Sequence, residues 1–186
     1  NKILWKLKKI EIFSDNLKKE KLIDFEKSNK QIFSIVKNYE LYQIIKQGLY
    51  KNKYFKSKLI STKNLSFINK YKLVINCDPL NVVTKKYFHK KLLKEYNSKA
   101  YTTIITHDKI LNNTAVQIFT NKGPLAFLPI SNVQTSVVYS IPNFYNKIEK
   151  NIEKLIREKN LKYKIKHIEK INIFDLISIN LRSYYN

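Results

Sequence analysis

From Lys8 to Phe13, Ile10 and Ile12 fall on one side of the chain and Lys9 and Glu11 on the other, the period of two that marks a half-buried strand. Asp15-Asn16 can turn the chain, so Leu22 to Phe25 is predicted to pair back as a second strand, and the apolar run Ile32 to Val36 as a third. The period then lengthens. After Asn38, a plausible N-cap, Leu41, Ile44, Ile45 and Leu49 lie on one helical face, with Gly48 near the end of that helix. Residues 50–70 are lysine-rich and weakly patterned. Tyr71 to Asn76 reads as a buried strand broken by Asp78-Pro79, and a helix is expected from about Thr84 to Tyr96.

Sheet patterning returns at Ala100. Ala100 to His107, Thr114 to Thr120, Leu125 to Ile130 and Thr135 to Ile141 are predicted to form an antiparallel meander, with Asn121-Lys122-Gly123 as a tight turn. A helix from Asn143 would carry Ile148, Ile152, Leu155 and Ile156 on one side, and Tyr163 to Ile168 and Ile171 to Leu176 would add short strands. The expected class is α+β, an antiparallel sheet backed by helices.

Composition narrows the function classes. The 186 residues are 44% hydrophobic, enough for a core, and no run approaches the roughly 20 apolar residues that span a bilayer. The chain contains no Met and begins Asn1-Lys2-Ile3-Leu4-Trp5, already patterned like folded protein, which leads us to expect an internal fragment without a signal peptide. Cys77 has no partner for an internal disulfide, so a reducing cytoplasm is expected. His89, His107 and His167 lack metal-ligand spacing, and no metal site is expected. The formal net charge of +22 invites a nucleic-acid reading, yet only Arg157 and Arg182 are arginines. Specific base and phosphate recognition leans on bidentate Arg. Lysine rises here with Asn, Ile and Tyr while Gly falls to 2, the signature of A- and T-rich codons. No specific nucleic-acid partner is expected; attraction to an anionic membrane surface is the weaker functional reading of the charge.

One stretch is more specific. Gln117-Ile-Phe-Thr-Asn-Lys-Gly-Pro-Leu-Ala-Phe-Leu-Pro129 resembles the F-T-x-x-G-P-L-A-x-L-P segment of the ubiquinone-biosynthesis hydroxylases, FAD-dependent monooxygenases built like p-hydroxybenzoate hydroxylase. Thr135-Ser-Val-Val-Tyr-Ser140 is similar to that family's next strand. Ile32 to Leu41 resembles its L-G-x-V-V-E-N-x-x-L segment, Leu73 to Asp78 its L-V-x-G-A-D-G strand, and Phe174-Asp-Leu176 its F-P-L, all in the family's order. The family's N-terminal G-x-G-x-x-G and C-terminal G-D motifs are absent, and Pro79 stands where the family has a glycine.

The resemblance implies the middle, substrate-binding domain of such a flavoprotein with part of its FAD domain. Residues 1–36 would lead into or belong to the substrate domain, 37–98 would be partial FAD-domain elements, and 99–186 the meander and its helix. It implies FAD as cofactor with NAD(P)H as electron donor, and oxygen transfer to an aromatic ring bearing a polyprenyl tail. Asp78 would lie by the flavin. Gln117, Phe119, Gly123, Pro124, Leu125 and Phe127 would line the substrate site, with Gln117 or Thr120 as hydrogen-bonding groups; no catalytic residue is assigned. The implied partner is a lipid-tailed aromatic substrate, with peripheral attachment to the inner face of the membrane or to a biosynthetic complex. Three alternatives stay open. Residues 117–129 read equally as core and turn of an ordinary meander, since alternation does not say which face meets a ligand. The enzyme could be a related flavoprotein with another aromatic or isoprenoid substrate. The chain could be a non-catalytic basic protein binding nucleic acid or anionic membrane.

Overall fold

The computed structural model describes residues 3–15, 20–28, 30–58, 65–145 and 151–182. Asn16 and Ile148 lie outside them. The chain divides into two compact units, residues 1–47 with 97–176, and residues 48–96 with 177–186.

The first unit is built on strands. β1 (Leu4–Leu7) pairs antiparallel with β4 (Phe33–Val36). β2 (Lys9–Ser14) and β3 (Lys21–Glu26) form the expected antiparallel pair. β6 (Thr114–Thr120), β7 (Gly123–Pro129) and β8 (Gln134–Pro142) are the expected meander, and β5 (Lys91–His107) pairs antiparallel with β8. The sheet is mixed rather than wholly antiparallel, because β2 runs parallel to β6. That pairing places β2 and β3 in one sheet with the meander, while β1 and β4 form a separate two-stranded sheet. Strand order is β10-β5-β8-β7-β6-β2-β3, where β10 is Asn172–Leu181, and β9 (Ile165–Ile168) also pairs with β5.

Register fixes what each face does. Phe13, Ile118, Leu125, Tyr139 and Tyr101 form one row across the strands, and Val116, Phe127, Val137 and Thr103 the next. α3 (Ile152–Lys159) buries Ile152 and Ile156 against this face. Each large side chain taken fully from water there contributes about 1.5–3 kcal/mol, which is why one short helix suffices to close the core.

A polar cluster is buried at one end of this core. Trp5 Nε1 donates to the Asn112 carbonyl at 2.7 Å. Asn112 Nδ2 donates to the Ser131 carbonyl at 2.8 Å and to Thr135 Oγ1 at 2.9 Å, while its Oδ1 accepts from the Tyr163 hydroxyl at 3.0 Å. His107 Nδ1 lies 2.8 Å from the Asp108 carbonyl, which can only accept, so Nδ1 carries the proton and Nε2 accepts from Thr135 Oγ1 at 3.0 Å. The Asn112 amide, Thr135 hydroxyl and His107 ring thus satisfy one another. Burial raises the Tyr163 hydroxyl above its ordinary pKa.

Three expected elements come out differently. α1 (Asn38–Tyr50) forms, but no residue of it is buried; its apolar face of Leu41, Ile44, Ile45 and Leu49 is exposed. Tyr71 to Asn76 is not a buried strand: it is irregular, and Leu73, Val74 and Ile75 are exposed because no neighbouring strand pairs with them among the described residues. The helix expected to reach Tyr96 stops early. α2 is Val82–Tyr87, and Lys91 onward belongs to the 17-residue β5, where pairing with other strands overrides local helix propensity. No helix among the described residues is long and apolar enough to cross a membrane.

Candidate functional site

The face of the sheet opposite α3 is the feature that fold and burial leave available. Period-two alternation sends Ile12, Gln117, Ala126, Val138 and Thr102 to this side as one row across β2, β6, β7, β8 and β5, with Ile23 of β3 at its end. The next row carries Ser14, Phe119 and Pro124. All are half-buried or exposed; Phe119 is 47% exposed, and Ile23 and Phe25 are exposed at the margin. The result is a broad, mainly apolar surface with the amide of Gln117 set near its middle, able both to donate and to accept a hydrogen bond.

The expected lining residues therefore separate. Gln117, Phe119 and Pro124 stand on the open face. Leu125 and Phe127 do not: they are 0% and 1% exposed and pack in the core with Ile152 and Ile156. The correction follows from the strand period, since neighbouring residues on β7 point to opposite faces and Pro124 and Leu125 cannot share one. Gly123 has φ +131, and a Cβ there would lie 2.1 Å from the Ser140 carbonyl oxygen, so its place is set by backbone packing. Thr120 serves the hairpin: its Oγ1 donates to the Gly123 carbonyl at 2.7 Å, accepts from Lys122 N–H at 3.1 Å, and lies 2.9 Å from the Tyr139 hydroxyl. Burial raises the Tyr139 hydroxyl above its ordinary pKa, partly offset by the Thr120 contact.

Asp78, in the second unit, sits in a turn of its own making. Its Oδ1 accepts from Leu80 N–H at 2.8 Å, spanning Pro79, which has no N–H to give. Its carbonyl accepts from Thr84 Oγ1 at 2.6 Å and from Asn76 Nδ2 at 3.3 Å. Asn81 caps α2 by accepting from Thr84 N–H at 3.0 Å and donates to Asn76 Oδ1 at 2.6 Å. Sequence reasoning missed this Asn76–Asn81–Thr84 cluster; the Asn at the N-cap position before Val82 was its legible signal.

A dinucleotide cofactor needs backbone N–H groups gathered by glycines at a helix N-terminus. The described residues do not fit that need. Gly48 lies inside α1, Gly123 is packed against Ser140, and the short α2 is already capped by its own Asn81. Among the described residues no group of acidic, His or Cys side chains could hold a metal ion.

No family model matches the chain, and no curated protein matches it in sequence. Among solved structures, the tetracycline destructase Tet(51) matches 99% of this chain and 55% of its own, with a TM-score of 0.53 at 10% identity. The chain thus spans about half the length of that structure and is similar to it in fold, a mixed sheet with few helices. CmlS, a flavin-dependent halogenase, matches 53% of this chain and 20% of its own, at TM-score 0.30 and 14% identity, too loose a fit to carry an argument.

Proposed function

We propose that this chain is the substrate-side portion of an FAD-dependent monooxygenase that hydroxylates an aromatic polyprenyl precursor in ubiquinone biosynthesis. The observation that carries it is the open sheet face: an apolar surface of the first unit, half-exposed, holding Gln117 and Phe119 of the segment that resembles the ubiquinone-biosynthesis hydroxylases. Such a face suits a flat ring with an apolar tail, since it removes ring and tail from water while one amide orients a ring hydroxyl. Phe119 and Ile12 would supply apolar walls, Gln117 the hydrogen bond, and Pro124 a fixed edge. The described residues do not fit the FAD pyrophosphate and have no part in holding it; FAD and the NAD(P)H donor would be held elsewhere in the enzyme. The same surface supports peripheral attachment at a membrane, where such a substrate resides.

A polycyclic aromatic substrate is the second reading, favoured by the fold shared with a tetracycline destructase. Calorimetry with a prenylated phenol tests the first: saturable binding by residues 1–186, weakened in a folded Phe119→Asp variant, supports it, and binding insensitive to that change removes the open face as the site. Flavin titration followed by fluorescence should show no stoichiometric submicromolar binding by this chain.

A further inference from the structure

The second unit contains a pocket of about 540 Å³ that the proposed function does not use. Its walls come from the 3-10 turn Ser66–Lys70, the irregular segment through Leu73 to Pro79, α2 and the end of β10. Ile68, Val83, Tyr87, Phe88, Ile179 and Leu181 line it and are half-buried. The hydrogen bond from Arg182 N–H to the Lys90 carbonyl, 3.0 Å, fixes the β10 wall. The volume falls within the roughly 300–1,000 Å³ typical of small-molecule sites.

The chemistry of the lining selects the occupant. Asp78 is its one charged residue, and Oδ1 of that carboxylate is committed to Leu80 N–H. Asn76 and Thr84 also line the pocket, but they bond to each other at 2.6 Å and to the Asp78 carbonyl. The polar side chains are thus largely engaged within the turn, and the surface facing the cavity is apolar for its larger part, with a polar share from the Asn76–Thr84 turn. Among the described residues no lysine or arginine lines it, so a phosphate or carboxylate entering would be desolvated without a partner there. We infer that this pocket binds a neutral, largely apolar small molecule, of aromatic or isoprenoid type, and excludes the anionic flavin dinucleotide. The inference stands independently of the proposed function, since none of the residues assigned to the open sheet face lines this pocket.

Cys77, the sole cysteine of the chain, is exposed and lines the pocket, so its thiol reports occupancy directly. The test uses the whole chain, with Nile red as a neutral apolar probe and iodoacetamide as the thiol reagent. The expected result is saturable one-to-one fluorescence enhancement with slowed alkylation of Cys77, and no protection by FAD. Val83→Trp, which fills the cavity, should weaken probe binding by about tenfold or more; Leu73→Asp, at a position 76% exposed and therefore tolerant for folding, should weaken it as well. Leu111→Ser, on the exposed surface of the first unit, should leave it unchanged. Absence of saturable probe binding would overturn the inference. So would binding that leaves Cys77 unprotected, binding by a folded Leu73→Asp chain at full strength, or protection of Cys77 by stoichiometric FAD.

Discussion

Two stretches of almost the same character meet opposite fates. Val137-Val138-Tyr139 lies in β8 between β5 and β7, and Val137 and Tyr139 are fully buried. Leu73-Val74-Ile75 is as apolar, yet lies in the second unit with no strand neighbour among the described residues, and Leu73 and Ile75 are 76% and 77% exposed. Among the described residues, Thr84 is the only buried residue of that unit, whereas the first unit closes a continuous core around Leu125, Phe127 and Ile156. Apolar side chains make burial favourable, but a strand is buried only where its backbone N–H and C=O groups find partners on both edges. Stability should therefore reside in the first unit, and adaptability in the second.

The two units should respond very differently to substitution. Leu125→Asp places a charge in the core and should abolish folding of the first unit, and Phe127→Ala should cost about 3–5 kcal/mol in denaturant unfolding. Val74→Ala in the second unit should stay within about 0.5 kcal/mol; an equal loss would show that the second unit hides a core of its own. Gly123→Ala should cost at least about 1–3 kcal/mol, because its φ is disfavoured for alanine and the contact at Ser140 is backbone, which cannot swing aside. Asn112→Ala leaves the Tyr163 hydroxyl without its acceptor and Thr135 Oγ1 without a donor, and should cost about 1–3 kcal/mol in the same assay.

Phe119→Asp sharpens a second contrast, between the two faces of one sheet. Standing on the open face, it should fold with a thermal midpoint close to that of the parent, where Leu125→Asp does not. The smallest effect is in pH. Burial raises the Tyr139 and Tyr163 hydroxyls, so the folded state keeps their protons when the unfolded state gives them up. The contribution is whole below about pH 10, the ordinary tyrosine value, and is lost as pH rises through the folded values. Tyr139→Phe and Tyr163→Phe should each flatten the fall in denaturant midpoint above pH 10; an unchanged slope in both would place the alkaline loss elsewhere.

Much of the first unit was legible in the chain itself. Alternation located β2 and β6, the apolar runs after Asn121-Lys122-Gly123 located β7 and β8, and that tripeptide located the tight turn between β6 and β7, because a period of two and a glycine turn are local properties. The open face was only half legible. Phe119 and Phe127 are equivalent in type and both were expected to line a site, but the residue parity of β6 and β7 is read only once α3 has chosen its side. The His107–Asn112–Thr135–Tyr163 cluster left no local trace, since its members are brought together from loop and strand positions up to 56 residues apart, His107 to Tyr163. Local pattern in the chain was enough to place the strands of the meander and to say which of their residues share a face. Folding in three dimensions selected which face became core, set β2 parallel to β6, and left Tyr71 to Asn76 without a paired strand among the described residues. Those outcomes depend on which distant backbone edge is free to bond, and no window of local sequence contains that information.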